Sequence, residues 1–123
     1  MNLNELLIAL LGKTGLPVEQ DLYQGKEDKY IIFVYEDEHS ELFADNEVQA
    51  DTAHMQIQLI TPKEFNYFDL KKKIRSLLEK ADFSITSIQS FLGDVYQETE
   101  KTRQTVFEVE YTEERNKEDD ENA

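Results

Sequence analysis

The stretch from Thr61 to Leu78, TPKEFNYFDLKKKIRSLL, constrains the fold more than any other part of the chain. Pro62 ends the strand before it, because proline has no amide proton to give to a sheet ladder. Beyond it, Leu70, Ile74, Leu77 and Leu78 recur at helical spacing, and Tyr67 lies one turn before Leu70 on the same side. Asn66 and Asp69 are alternative caps, each offering a side-chain oxygen to free backbone amides. Lys71, Lys72, Lys73 and Arg75 take the other faces. Lys80 comes near the end, where a cation suits the helix dipole. The spacing predicts an amphipathic helix ending near Ala81 and Asp82. Strand patterns flank it on both sides, so it is expected to lie across a sheet.

Upstream, Leu3 to Leu11 reads as a short helix. Asn2 and Glu5 have the spacing of a capping box, and Gly12 sits where helices commonly stop. Leu3, Leu6, Leu7 and Leu10 form its apolar face, widened by Leu11. Lys13 to Lys29 contains the breakers Gly15, Pro17 and Gly25 and reads as connection, with Val18, Leu22 and Tyr23 docking locally. YIIFVY, Tyr30 to Tyr35, is rich in β-branched and aromatic residues and predicts a strand. Glu36, Asp37, Glu38 and His39 predict a polar turn, ELFA from Glu41 to Ala44 a short second strand, and Asp45, Asn46 and Glu47 another turn. From Thr52 to Ile60 the pattern alternates. Ala53, Met55, Ile57 and Leu59 point one way and His54, Gln56 and Gln58 the other, as in a half-buried strand.

Downstream, Phe83 to Val95 holds a strand in which Ile85 and Ile88 break strict alternation, the mark of a bulge or an early break. Gly93, Asp94 and QETEKTR make a loop. Thr105, Phe107, Val109 and Tyr111 then alternate with Val106, Glu108 and Glu110 in a last strand. The order is α-β-β-β-α-β-β. Short connections favour antiparallel pairing, which gives an α+β fold: a sheet of four to five strands with two helices packed on one face. Residues 1–111 form a single domain, and residues 112–123 an acidic, disordered tail.

The net charge of −14 disfavours contacts with nucleic-acid phosphates or an anionic membrane. The tail contributes −4 of this, so acidity belongs to the domain as well. No cysteine is present, which excludes disulfides and thiolate chemistry. The apolar start MNLNELLIALLG has no basic lead and is far shorter than the ~20 residues of a membrane span.

Motifs for chemistry are sparse. There is no phosphate-binding glycine loop, and His39 and His54 lack a metal-type partner pattern. Glu36, Asp37, Glu38, Glu41, Asp45, Glu47 and Asp51 are dense, but they do not follow a calcium-loop pattern. No catalytic residue, cofactor or metal site is expected. The basic cluster is more informative, because Lys71, Lys72, Lys73 and Arg75 hold four of thirteen positive charges. They form either a plain solvated face or one half of a segregated charge pattern. In the second case Lys71, Lys72 and Arg75 of one copy meet the acidic Glu36, Asp37 and Glu38 of the next, head to tail. Phe65, Tyr67 and Phe68 crowd the helix start. Not all three can face one core, so they are candidate interface anchors.

YIIFVYEDE, ADNEVQADTAHMQIQLITPKEFNYFDLKKKIRSLLEKADFSI, SIQSF and TRQTVFEVEY together resemble the small tail proteins of long-tailed bacteriophages and prophages. More narrowly, they are similar to the tail terminator, or tail-to-head joining, family. The likeness runs from Leu3 to Tyr111 and rests on overall pattern, with no catalytic motif. It implies a small α+β domain that forms a hexameric ring on the end of the tail tube. Such a ring stops tube growth and offers a surface to the head. The implied partners are the protein itself, the tail-tube protein and the head–tail connector, with DNA passing through unbound. The implied location is the virion, at the head–tail junction, after synthesis in the bacterial cytoplasm. The alternative from charge alone is a soluble acidic binding module, an immunity or DNA-mimic protein that occupies a basic site on its partner.

Overall fold

Asn2 starts the first helix by side-chain chemistry: its Oδ1 accepts a hydrogen bond from the Glu5 amide at 2.8 Å. Helix α1 follows over Leu3–Leu11 and buries Leu7, Leu10 and Leu11. The computed structural model describes residues 2–42, 48–93 and 102–116. A single 3-10 turn, Gly12–Thr14, leads to Gly15 at φ 82°, a left-handed conformation that glycine adopts without steric cost. Strand β1 (Val18–Gln20), β2 (Tyr30–Leu42) and β3 (Val48–Pro62) precede helix α2 (Phe68–Lys80), and β4 (Ser84–Leu92) and β5 (Thr102–Asn116) follow it.

The α+β class and the order α-β-β-β-α-β-β are those expected from the sequence. The five strands lie side by side in the order β1-β2-β3-β5-β4. All pairs are antiparallel except β1 with β2, which are parallel, so the sheet is mixed.

Register lines up the core in rows. Phe33 faces Ile57, Ile57 faces Phe107, and Phe107 faces Ile88. One step along, Tyr35, Met55, Val109 and Ile85 form a second row. These rows and the apolar sides of both helices (Leu7, Leu10, Leu11, Ile74, Leu78) make one cluster, with Phe33, Ile57, Phe107, Ile74 and Leu78 fully buried. Both helices therefore cover one sheet face. The other face carries no helix among the described residues.

Helix α2 keeps its expected range, with Asn66 Oδ1 accepting from the Phe68 amide at 3.1 Å. Its end is a six-to-one closure. Asp82 takes φ 67°, the Phe83 amide donates to Leu78 O at 3.0 Å, and the Asp82 amide donates to Glu79 O at 3.2 Å. Buried Phe83 folds back beside buried Leu78 and locks the exit into β4. The broken alternation of β4 is a bulge, a register shift between Ile85 and Ser87.

Several local expectations are corrected. Glu36, Asp37, Glu38 and His39 do not turn the chain. A bulge between Tyr35 and Asp37 absorbs one residue, and β2 continues through Glu41 and Leu42. The rest of the expected ELFA strand and the turn at Asp45, Asn46 and Glu47 lie outside the described residues. Val18–Gln20 is a strand, not connection, held by three partners on β2. Strand β5 runs on to Asn116, so residues 112–116 pair with β3 and do not belong to a disordered tail. Residues 117–123 lie outside the described set.

Phe107 lies at the centre of the shared rows, so Phe107→Ala should cost about 3–5 kcal/mol of stability, read from urea unfolding. A loss under 1 kcal/mol would contradict this central position.

Candidate functional site

The basic face lies on α2, turned away from the sheet. Ile74 and Leu78 anchor the helix inward, which leaves Lys72, Lys73 and Arg75 exposed and Lys71 half-buried. Arg75 Nε donates to Glu79 Oε1 at 2.8 Å, one turn on. With side chains 62% and 53% exposed, the pair is solvent-screened and is worth about 0.3–0.5 kcal/mol. It stands on the rim of a shallow groove between α2 and β4, floored by Phe83, Ile85 and Ile88.

The three aromatics at the helix start divide their work. Phe65 accepts Lys29 over its ring, with Nζ 4.7 Å from the centroid. Tyr67 accepts the Arg103 guanidinium at 4.9 Å and stacks on Phe68, with centroids 4.9 Å apart. Phe68 is 55% exposed, the one large outward apolar surface of the trio. Of the three, it best fits an interface anchor.

The acids sit on the other layer. Glu36, at the bulge, reaches Glu108 on the uncovered face, and Asp37 stands across from His54 on the same face. Glu38 alternates back to the helix side. There its charge, second to burial, raises the Tyr35 phenol above its ordinary value. Tyr35 OH donates to Asn4 Oδ1, which ties β2 to α1.

The uncovered face carries a directed chain of hydrogen bonds. Gln104 Nε2 donates to Gln58 Oε1 at 2.8 Å, Gln58 Nε2 to Gln56 Oε1 at 2.9 Å, and Gln56 Nε2 to Glu108 Oε1 at 2.8 Å. Each amide donates one way and accepts the other, so the dipoles add along the row. Glu108 is the terminal acceptor. Glu36 completes the row when it carries a proton, and that shared hydrogen bond is the largest cause of its raised pKa. Desolvation and the Glu108 charge add to it, while His54 opposes. His54 Nδ1 stands 3.4 Å from Glu110 Oε1 on the same face.

The structure thus separates the residues singled out in the sequence. Lys71, Lys72 and Arg75 share one helix face, and Phe65, Tyr67 and Phe68 share its start. Glu36 and Asp37 occupy the opposite layer. The glutamine row was half legible, since Gln56 and Gln58 alternate with the core. Arg103 gave no signal, being one cation in a polar run. Among the described residues, no three His, Asp or Glu side chains converge as a metal site, and no helix is long and apolar enough to cross a membrane.

A raised Glu36 means that the folded state holds its proton more tightly than the unfolded state. Its contribution is full below the ordinary carboxylate range and is lost as pH rises through the raised value. Glu36→Gln keeps a donor for Glu108 without the charge. It should flatten the fall in urea midpoint between about pH 4 and 7 and should leave the variant more stable than wild type at neutral pH. An unchanged slope would show that the Glu36–Glu108 contact does not titrate. Compared with known proteins, the chain matches no family model, and no curated protein matches it.

Proposed function

We propose that the protein is a structural virion component that caps a phage tail tube, ends its polymerisation and presents the surface for head attachment, as a ring of identical subunits. The observation that carries this reading is the separation of charge between two layers. Lys72 and Arg75 face outward from the helix layer, while Glu36 and Asp37 face outward from the uncovered sheet face. Groups on opposite layers of one domain cannot pair within it, but they can pair between neighbours related by rotation, and such head-to-tail contacts close into rings. The resemblance of Leu3 to Tyr111 to tail terminators supplies the biological setting.

In this reading Lys71, Lys72 and Arg75 of one subunit meet Glu36 and Asp37 of the next, and Phe68 anchors the contact. The rest of the uncovered face, with Glu108 and Glu110 on it, suits the lumen, because carboxylates repel the phosphates of passing DNA. The work needs two different ring surfaces and no catalysis. The partners are the protein itself, the tail-tube protein and the head–tail connector.

A second reading, the acidic binding module, is favoured by the same row of carboxylates, which would fill a basic cleft on a partner. The two separate in one experiment. Electron microscopy of particles from a phage or prophage lacking this gene should show headless tails of excessive length. Normal, head-joined tails would reject capping and favour the module. Within the ring reading, the double reversal Lys72→Glu and Arg75→Glu should weaken subunit association at least tenfold at moderate salt. Unchanged assembly would exclude that pairing.

A further inference from the structure

Strand β4 is the last strand of the sheet. On one side it pairs with β5, and among the described residues nothing pairs with the other side. An open edge offers its free amides and carbonyls to any extended chain, and proteins blunt such edges with charge, proline, bulges or brevity. The other open stretches of this sheet follow that rule. Strand β1 is three residues long and carries Glu19. Beyond β1, the open side of β2 carries Glu36, Asp37 and Glu38. Beyond β4, the open side of β5 carries Glu113, Glu114 and Arg115. Strand β4, SITSIQSFL, has nine residues and not one charge, in a chain of which 33% is charged. It has no proline, and the bulge between Ile85 and Ser87 lies near its start, which leaves residues 87–92 in regular register.

Apolar side chains on this edge are left partly uncovered. Ile85 and Ile88 floor the groove beside α2 and are half-buried. Leu92 alternates onto the same side as Ile88 and is 42% exposed, and Phe91, on the other side, is 38% exposed. A second copy of the chain is the occupant that the charge favours. Two molecules of net charge −14 repel each other over most of their surface, and β4 is an edge where they meet without bringing like charges together. A two-fold axis through the sheet sets β4 antiparallel to its own copy. Facing residues in an antiparallel pair project to the same side, so the axis passes through a residue that faces itself. Centred on Ser90, the pairing places Ile88 opposite the partner's Leu92 on the helix side and Gln89 opposite the partner's Phe91 on the other. Each exposed apolar side chain gains a cover.

We infer that β4 is a self-association edge: two copies of this chain join β4 to β4 across a two-fold axis through Ser90. The product is one continuous sheet, five strands from each copy, with the helices of both on the same side. The contact is closed, unlike a head-to-tail contact. It uses none of Lys72, Arg75, Glu36 or Asp37, so it stands or falls independently of the virion role.

Sedimentation equilibrium of the full chain tests the contact. Salt screens the repulsion between like-charged copies, so dimer association through an uncharged edge should strengthen roughly threefold or more between about 0.05 and 0.5 M KCl. A contact between Lys72 and Arg75 on one copy and Glu36 and Asp37 on the next weakens over the same range. Leu92→Asp should cut dimer association about tenfold, and Arg103, directly across on β5, meets the new carboxylate within the chain. The chain lacks cysteine, so Ser90→Cys reports the axis directly. On mild oxidation it should form a disulfide-linked dimer about tenfold faster than Lys73→Cys on the exposed helix face. A monomer at both salt concentrations, an association that weakens with salt, equal rates for the two cysteine variants, or indifference to Leu92→Asp overturns the β4 contact even if rings still form. If circular dichroism shows Leu92→Asp unfolded, Phe91→Asp takes its place, and an unchanged association then overturns the proposal equally.

Discussion

The structure depends on one row of contacts: Phe33, Ile57, Phe107 and Ile88 side by side across four strands, with both helices pressed on them. Side chains alternate along a strand, so a slip of one residue would send the whole row to the uncovered face. Burial of one face therefore fixes every register at once. The two bulges, at Glu36 and Thr86, sit toward the sheet's margins and re-aim side chains without disturbing this row.

That asymmetry explains what could be read from the sequence. Residues serving the row announce themselves. The alternation of Met55, Ile57 and Leu59 and the helical spacing of Leu70, Ile74 and Leu78 both follow from a single buried side. The cap at Asn2 is local chemistry and is equally legible, whereas Tyr67, not Asn66 or Asp69, takes the cap position of α2 and Asn66 accepts from the Phe68 amide one residue earlier. Where the strands outrun the helices, Ala50 and Thr52 are still buried, but the apolar alternation stops. The acidic run after Tyr35 therefore looks like a turn although the ladder continues. Strand β1 escaped for another reason. It has three residues, and its partner in parallel pairing is chosen by tertiary contact. Charged patches could be found in the sequence as clusters, but their assignment to opposite layers could not. Arg103 is a single cation whose place over the Tyr67 ring depends on an element distant along the chain.

The polar side of the sheet is not a neglected surface. Its amides pass donors in one direction toward Glu108, and Glu36 lies where the row terminates. A face hydrogen-bonded within itself in this way is polar and already supplied with partners. It suits contact with water, or with something that must not stick. The helix layer, by contrast, offers exposed cations, and the start of α2 offers aromatics. Three surfaces of different chemistry on one small domain fit a component that must meet more than one neighbour.

Strand β3 pairs along its full length with β5, although α2 and β4 lie between them in the chain. During synthesis, β2, β3 and α2 emerge first. Until β5 follows, one long edge of β3 stands open with Met55, Ile57 and Leu59 on it. Such an edge is a template for pairing with another chain, and the wait is prolonged because distant strands close slowly. The net charge of −14 opposes such pairing, because like-charged copies repel one another.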